Sequence, residues 1–100
     1  MSYGLEDITL QKIKSVFSNF PQIEQAILYG SRAKGNFKPG SDIDITLMGD
    51  GLSLAVMNEI GLKLDDLLLP YFFDLSVYSH IKDPALLEHI ERVGVVIYPG

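Results

Sequence analysis

The sequence predicts one small α/β domain, because helical and strand-like patterns alternate along a chain of only 100 residues. Three helical patterns are interleaved with four short strand patterns, and no segment repeats another. Hydrophobic residues make up 47% of the chain and charged residues 21%, which is typical of a folded protein rather than a disordered one. We therefore expect a single domain over residues 1–100 with a thin hydrophobic core.

The first half of the chain predicts a helix, two strands and the loop between them. Apolar residues recur at helical spacing over residues 5–19, before a proline that ends the pattern. The apolar run 25–29 predicts the first strand. Residues 30–41 are rich in Gly, Ser, Asn and Pro, so they predict a loop. Residues 42–48 alternate between polar and apolar types, which predicts the second strand.

The second half predicts two helices, each followed by a strand. Helical spacing over residues 54–68 predicts a helix that begins after Ser53, a residue type that caps helix N-termini well. Residues 72–78 predict the third strand. Asp83 followed by proline is a frequent helix start, because Asp caps the helix and proline suits its first position. Residues 95–98 predict the fourth strand.

The predicted loop is the basic part of an acidic protein. Thirteen acidic and eight basic residues give a net charge of -5, yet residues 30–41 contain three bases and no acid. A Gly-Ser turn that leaves a strand presents backbone N–H groups to an anion, and Arg32 and Lys34 add positive charge. This pattern favours phosphate binding; a solvated surface loop is the alternative interpretation.

Two carboxylates follow this loop on one strand. Asp42 and Asp44 are two residues apart, so they share a face, while the alternating isoleucines point to the core. Carboxylates about 6–7 Å apart along a strand repel each other unless a cation lies between them. Hard oxygen ligands beside a phosphate loop favour Mg²⁺ or Mn²⁺. The alternative is a solvated acidic end of the strand.

The third strand offers a further carboxylate. Phe73, Leu75 and Val77 alternate onto one face, which leaves Asp74 on the other. If the second and third strands are neighbours, Asp74 joins the first two carboxylates. Its rivals lie at a strand end or on a helix surface; they are Asp50, Asp65 and Asp66.

Together these motifs carry a family resemblance. Gly30-Ser31, ten residues, and then Asp42-x-Asp44 resembles the GS-x10-D-x-D signature of the polymerase-beta-type nucleotidyltransferase superfamily. The GSRAKG loop, the SDID strand and the closing GVVIY strand resemble minimal nucleotidyltransferase (MNT) domains, over nearly the whole chain. The resemblance implies a small nucleotidyltransferase fold, a mixed four-stranded sheet with helices packed on one side.

The resemblance also implies a site and a reaction. Its catalytic and metal-binding residues would be Asp42, Asp44 and Asp74. Its nucleotide-binding residues would be Gly30, Ser31, Arg32, Lys34 and Ser41. ATP would be the substrate and Mg²⁺, or Mn²⁺, the cofactor. MNT domains are associated with HEPN-domain toxins, whose tyrosine hydroxyl they adenylylate, so a HEPN partner is expected.

Two other functions stay open at this point. A small-molecule nucleotidyltransferase usually carries an added helical domain, which a self-assembled dimer would have to replace here. A non-catalytic module that masks its partner would not need three carboxylates. The acidic charge argues against direct nucleic-acid binding and polymerisation. The chain lacks cysteine, a signal-peptide pattern and a membrane-length apolar run, so we expect a cytoplasmic protein.

Both histidines, His80 and His89, lack a ligand partner at a suitable sequence spacing, so we expect them to be structural or solvated. The aromatic residues are expected in the core or an interface rather than on a base-stacking platform; they are Tyr29, Phe72, Phe73 and Tyr78.

Overall fold

The computed structural model describes residues 2–99 and has four strands, four α-helices and one 3-10 turn within that range. In chain order the elements are α1 (Asp7–Ser18), β1 (Gln25–Tyr29), α2 (Gly30–Lys34), β2 (Ile43–Met48), α3 (Leu54–Asp65), β3 (Phe73–Val77), the 3-10 turn (Tyr78–His80), α4 (Pro84–Val93) and β4 (Val95–Tyr98). None of the helices in this range is long and apolar enough to cross a membrane.

The strands form one mixed sheet in the order β3-β2-β1-β4. β1 runs antiparallel to both β2 and β4, whereas β2 and β3 are parallel. The prediction of a mixed four-stranded sheet is thus confirmed. In the register of these strands Tyr29 pairs with Asp44, and Asp44 pairs with Asp74. These three residues form one row across the sheet, because directly paired residues lie on the same face.

The main hydrophobic core lies between one face of the sheet and the helices α1 and α3. Phe17 of α1 and Ile60 of α3 are fully buried there, together with the inward-facing residues of β1 and β2. Alternation along the strands puts Leu28 and Ile45 on this face and leaves the Tyr29–Asp44–Asp74 row on the other.

The helices are not all on one side, which corrects that part of the prediction. The His89 ring of α4 packs edge-on against Tyr29, on the face that carries the carboxylates. Ile90 of α4 is buried but stands outside the main core cluster. The physical reason is that Ile27 and Tyr29 of β1 make part of the carboxylate-bearing face apolar. Packing of α4 removes that apolar surface from water.

Both predicted helix caps are present. The Ser53 side chain accepts a hydrogen bond of 3.3 Å from the backbone N–H of Val56 at the start of α3. The Asp83 side chain accepts one of 3.0 Å from the N–H of Ala85, with proline as the first residue of α4. These caps were predictable because each involves residues only two or three positions apart.

The first helix (Asp7–Ser18) and the third strand (Phe73–Val77) are one or two residues shorter at each end than predicted, and three larger differences concern the loop, α3 and β2. The loop of residues 30–41 begins with the short helix α2, whose Arg32 is turned inward and buried. The helix α3 ends at Asp65 instead of continuing to residue 68, and Leu68 adopts a left-handed backbone with φ 55°. Asp42 directly precedes β2 instead of opening it.

Candidate active site

The row of carboxylates lies at one end of the sheet. Asp44 is the partner of Asp74 in the parallel β2–β3 pairing, and Asp42 stands two residues before Asp44. Asp42 and Asp74 are exposed, whereas Asp44 is half-buried. The structure therefore places Asp44 and Asp74 side by side, as the strand patterns predicted.

The surroundings of Asp44 disfavour its ionised form. Burial raises its pKa above the usual 3.8, and the negative charges of Asp74 and then Asp42 raise it further. The nearby His89 acts in the opposite direction. Asp44 therefore lies in a partly dehydrated position with two further carboxylates nearby, an arrangement that a bound cation would relieve.

A divalent cation fits this donor set, although the protein does not provide a complete cage. Within residues 2–99 no group of three His, Cys, Asp or Glu side chains stands ready-made around a metal position. Mg²⁺ normally takes one or two carboxylates and completes its shell with substrate phosphates and water. The carboxylates of Asp42 and Asp74 repel that of Asp44. Such a group of oxygen donors suits a cation that takes only one or two carboxylates from the protein.

The Gly-Ser turn touches the carboxylate row directly. Gly30 has φ 76°, a left-handed backbone that glycine adopts without strain. A β-carbon at residue 30 would overlap the Oδ2 atom of Asp44. Glycine is therefore required here for two reasons, its backbone conformation and the close approach of the carboxylate. The contact joins the two sequence motifs into one site.

His89 also lies at the site, although the sequence predicted only a structural or solvated histidine. The Gly30 backbone N–H donates a 3.0 Å hydrogen bond to His89 Nε2. The His89 ring lies edge-on to Tyr29, with 6.2 Å between the ring centroids. The two hydrogen-bonded residues are 59 positions apart, so no local pattern signals the pairing. In this structure the Gly30 N–H, expected to bind phosphate, is engaged by His89. His80, by contrast, is exposed on the 3-10 turn.

Tyr29 lines the same row from β1. It is 7% exposed, in keeping with the prediction of a core or interface position, but it lies against His89 on the face opposite the main core. Burial is the largest cause of its raised pKa, and the charges of Asp74 and Asp44 add to the rise. The Ser76 hydroxyl lies close enough to oppose this rise, although its Oγ has no partner at full hydrogen-bond geometry.

Arg32 points into the loop rather than into solvent. It is 2% exposed, and its guanidinium donates to the carbonyl oxygens of Ser41 and Tyr3. The rings of Phe37 and Tyr71 lie 5.3 and 4.8 Å from the guanidinium carbon. These contacts bind Arg32 to the protein's own backbone, whereas the sequence suggested a contact with nucleotide.

The other predicted nucleotide-binding residues differ in their surroundings. The Ser41 Oγ accepts a 2.8 Å hydrogen bond from the Lys38 N–H, so this hydroxyl is also part of the loop's internal structure. Ser31 is half-buried on α2, next to Gly30. Lys34 is exposed at the last position of α2. Of this group, Ser31 and Lys34 have side chains without a recorded internal hydrogen bond in the described range.

Comparison with known structures supports the fold assignment. The chain superposes on a chain of a toxin–antitoxin complex with AMP-PNP with a TM-score of 0.71 and 23% identity, covering 96% of this chain and 75% of the other. It superposes on a chain of the tri-AMPylated Shewanella oneidensis HEPN toxin in complex with MNT antitoxin with a TM-score of 0.69 and 20% identity, covering 96% and 74%. These likenesses show a shared fold.

A further similar structure is that of a nucleotidyltransferase-like protein from Sulfolobus solfataricus, with a TM-score of 0.55 and 21% identity, covering 89% of this chain and 75% of the other. No curated protein sequence matches this chain significantly. The sequence model of the family described as "Polymerase beta, Nucleotidyltransferase" matches residues 11–99. That match includes every carboxylate and loop residue of the site, and the chain therefore belongs to the polymerase beta nucleotidyltransferase family.

Proposed function

We propose that this protein transfers AMP from ATP to a tyrosine hydroxyl of a partner HEPN toxin and thereby acts as its antitoxin. The observation that carries the proposal is the close approach of Gly30 to the Asp44 carboxylate, which brings the Gly-Ser turn and the row of carboxylates together. The similarity to toxin–antitoxin complexes supports the choice of partner; one contains AMP-PNP and another a tri-AMPylated HEPN toxin.

The chain's own residues would hold the triphosphate at the Gly-Ser turn. The Ser31 hydroxyl and backbone N–H would meet phosphate oxygens, and the exposed Lys34 would supply positive charge at the end of α2. Asp42, Asp44 and Asp74 would hold a divalent cation, which when bound neutralises the charge that develops on the phosphate oxygens. Nucleotidyl transfer depends mainly on such positioning and charge stabilisation.

In the transfer itself, the tyrosine oxygen of the partner attacks the α-phosphorus of ATP. A bond forms between these two atoms, and the bond from the α-phosphorus to the bridging oxygen breaks, so that pyrophosphate leaves. Asp74 is exposed next to Asp44 and would accept the proton of the tyrosine hydroxyl. The products are an adenylylated tyrosine and pyrophosphate.

A protein acceptor suits the open side of this site. β3 is an edge strand, and Asp74 is exposed on it. Phe72, two residues before Asp74, is 82% exposed, so the approach to the carboxylate is bordered by an apolar side chain. An acceptor that brings its own surface would cover this edge and exclude water from the reaction.

Label transfer tests the proposal. The protein is incubated with Mg²⁺ and α-phosphate-labelled ATP in lysate of its host, beside the Asp42→Asn, Asp44→Asn double variant. An Asp65→Asn, Asp66→Asn double variant removes the same charge from the exposed end of α3 and serves as the matched control.

We expect label on a discrete protein with the wild type and with the control, and none with the site variant. Label on small molecules instead would indicate a small-molecule acceptor. ATP binding without any transfer in the presence of the partner would favour a masking module and contradict the proposed reaction.

A further inference from the structure

We infer that Arg32 is a positioning residue that fastens the loop of residues 35–42 and so fixes Asp42 at the site. The importance of Asp42 rests on the proposed function; the fastening itself rests on the contacts below. The inference replaces the expected contact between Arg32 and nucleotide with an indirect role.

The Arg32 guanidinium binds a single carbonyl oxygen of the loop through two hydrogen bonds. Arg32 Nε and one terminal nitrogen both donate to the Ser41 carbonyl oxygen, at 3.1 and 2.8 Å. Ser41 immediately precedes Asp42, so this carbonyl lies one peptide unit from the first carboxylate of the site. A forked contact of this kind fixes both the distance and the direction of the peptide, which a lysine ammonium would not do.

A tight turn in the loop places the Ser41 carbonyl for this contact. Residues 38–41 form a turn closed by the Ser41 N–H, which donates to the Lys38 carbonyl at 3.0 Å. Gly40 supplies the left-handed backbone of this turn, with φ 83°, and Pro39 precedes it, as in a type II turn. All the polar groups of Ser41 are thus used inside the loop, two toward Lys38 and one toward Arg32.

The other side of the guanidinium is held by the N-terminal turn. The second terminal nitrogen donates to the Tyr3 carbonyl at 2.9 Å. Tyr3 itself has φ 57°, a strained value for a residue with a side chain. A β-carbon at Gly4 would overlap the Phe37 ring and come within 2.9 Å of Arg32. Such strain persists only when surrounding contacts enforce it, which indicates a tightly packed junction.

A buried cation needs compensation, and the two aromatic rings provide part of it. Phe37 and Tyr71 lie at cation–π distance from the Arg32 guanidinium. Tyr71 lies two residues before β3, the strand that carries Asp74. The Arg32 guanidinium therefore contacts both the loop before Asp42 and the segment before Asp74. Arg32 therefore connects α2, the N-terminal turn and the two segments that lead into the carboxylate strands.

Arg32 also borders a cavity of about 360 Å³, which makes a direct ligand contact the rival explanation. The cavity is lined by Gly4, Arg32, Phe37, Pro39, Gly40 and Tyr71. A direct contact with ATP through this cavity would chiefly affect ATP binding. A positioning role would chiefly affect the chemical step, because a carboxylate displaced by about 1 Å slows a reaction by about 100-fold.

The test compares Arg32→Lys with Lys38→Gln, which removes a charge from an exposed side chain of the same loop. Two readouts are used. The first is amide hydrogen exchange of Ser41 and Ile43, which flank Asp42 and whose N–H groups donate to the carbonyl oxygens of Lys38 and Phe72. The second is the separate determination of kcat and KM for ATP in AMP transfer. Phe37→Leu, which removes only one ring, serves where Arg32→Lys is too unstable to purify.

For Arg32→Lys we expect exchange about tenfold faster at Ser41 and unchanged exchange in β1, with kcat reduced by about 100-fold and KM for ATP altered by less than about threefold. Lys38→Gln should match the wild type in both readouts. Unchanged exchange at Ser41, or a raised KM with an unchanged kcat, would overturn the inference. The exchange readout needs no activity, so it decides the fastening role even if AMP transfer is not the reaction.

Discussion

At the scale of single residues, the account depends most on Gly30 and Asp44. The α-carbon of Gly30 leaves no room for a side chain beside the Asp44 Oδ2 atom. The sequence indicated both residues as parts of separate motifs, a turn and a strand, but not that they touch. Contact between them requires the antiparallel β1–β2 pairing, which places the end of one strand beside the start of the other.

The variant Gly30→Ala tests this contact. We expect AMP transfer to fall by about 100-fold or more, because the new methyl group displaces the Asp44 carboxylate and the backbone at φ 76° is strained for alanine. The measurement is kcat with the identified partner. Gly61→Ala is the matched control, since the same methyl group meets nothing there and alanine favours the interior of α3. Equal activities of the two variants would contradict the close-contact argument.

The raised pKa of Asp44 leads us to expect that the stability of the fold depends on pH. Its pKa is raised in the folded state, so folding favours the protonated carboxyl and ionisation costs stability. This loss is absent below the ordinary pKa of 3.8 and is complete once the pH exceeds the folded-state value. In metal-free buffer we therefore expect Asp44→Asn to raise Tm by a few degrees at pH 7 and to have no such effect at acid pH.

Thermal unfolding of the wild type and of Asp44→Asn, followed by circular dichroism across this pH range, provides the measurement. The asparagine variant should be more stable and inactive, which is the trade-off expected where a site holds repelling charges for function. A lower Tm for Asp44→Asn at pH 7 would mean that the carboxylate makes a net stabilising contact instead.

At the scale of elements, α4 is the helix whose place the sequence did not predict. Its start at Asp83 and Pro84 follows from local capping. Which face of the sheet it covers depends on pairings far apart in the chain, such as His89 with Gly30. The interior position of Arg32 was hidden for the same reason, because its partners Tyr3 and Tyr71 are distant in sequence.

The variant His89→Phe separates the two contacts of this side chain. Phenylalanine keeps an aromatic ring against Tyr29 but cannot accept the hydrogen bond from the Gly30 N–H. We expect kcat to fall by about fivefold, which corresponds to loss of one hydrogen bond of about 1 kcal/mol in a positioning contact.

A helix-stability control accompanies it. Asp83→Ala removes the cap of α4 and should lower the free energy of unfolding by about 1 kcal/mol, with kcat preserved below the melting transition. If His89→Phe behaves like this cap variant, with lower stability and normal kcat, His89 has no part in placing the Gly-Ser turn.

At the scale of the whole molecule, the sheet order leaves one side of the candidate site open, where the proposed partner would bind. The order β3-β2-β1-β4 leaves the carboxylate of Asp74 on an exposed edge, while α4 covers the opposite end of the same face. The site is therefore closed on one side by the chain itself and open on the other. The family resemblance implied the mixed sheet, and the alternation along the second and third strands predicted the acidic row, whereas only the assembled topology shows which side is open.

The central claim is that this chain adenylylates a tyrosine of a HEPN toxin, and the most direct test is the intact mass of that partner. The partner is purified after incubation with ATP, Mg²⁺ and either the wild type or the Asp42→Asn, Asp44→Asn variant, and the modified residue is mapped by fragmentation. We predict a mass increase of one or more adenylates, placed on tyrosine, with the wild type alone. An unmodified partner that both proteins silence equally would contradict the account, because binding would then suffice without transfer.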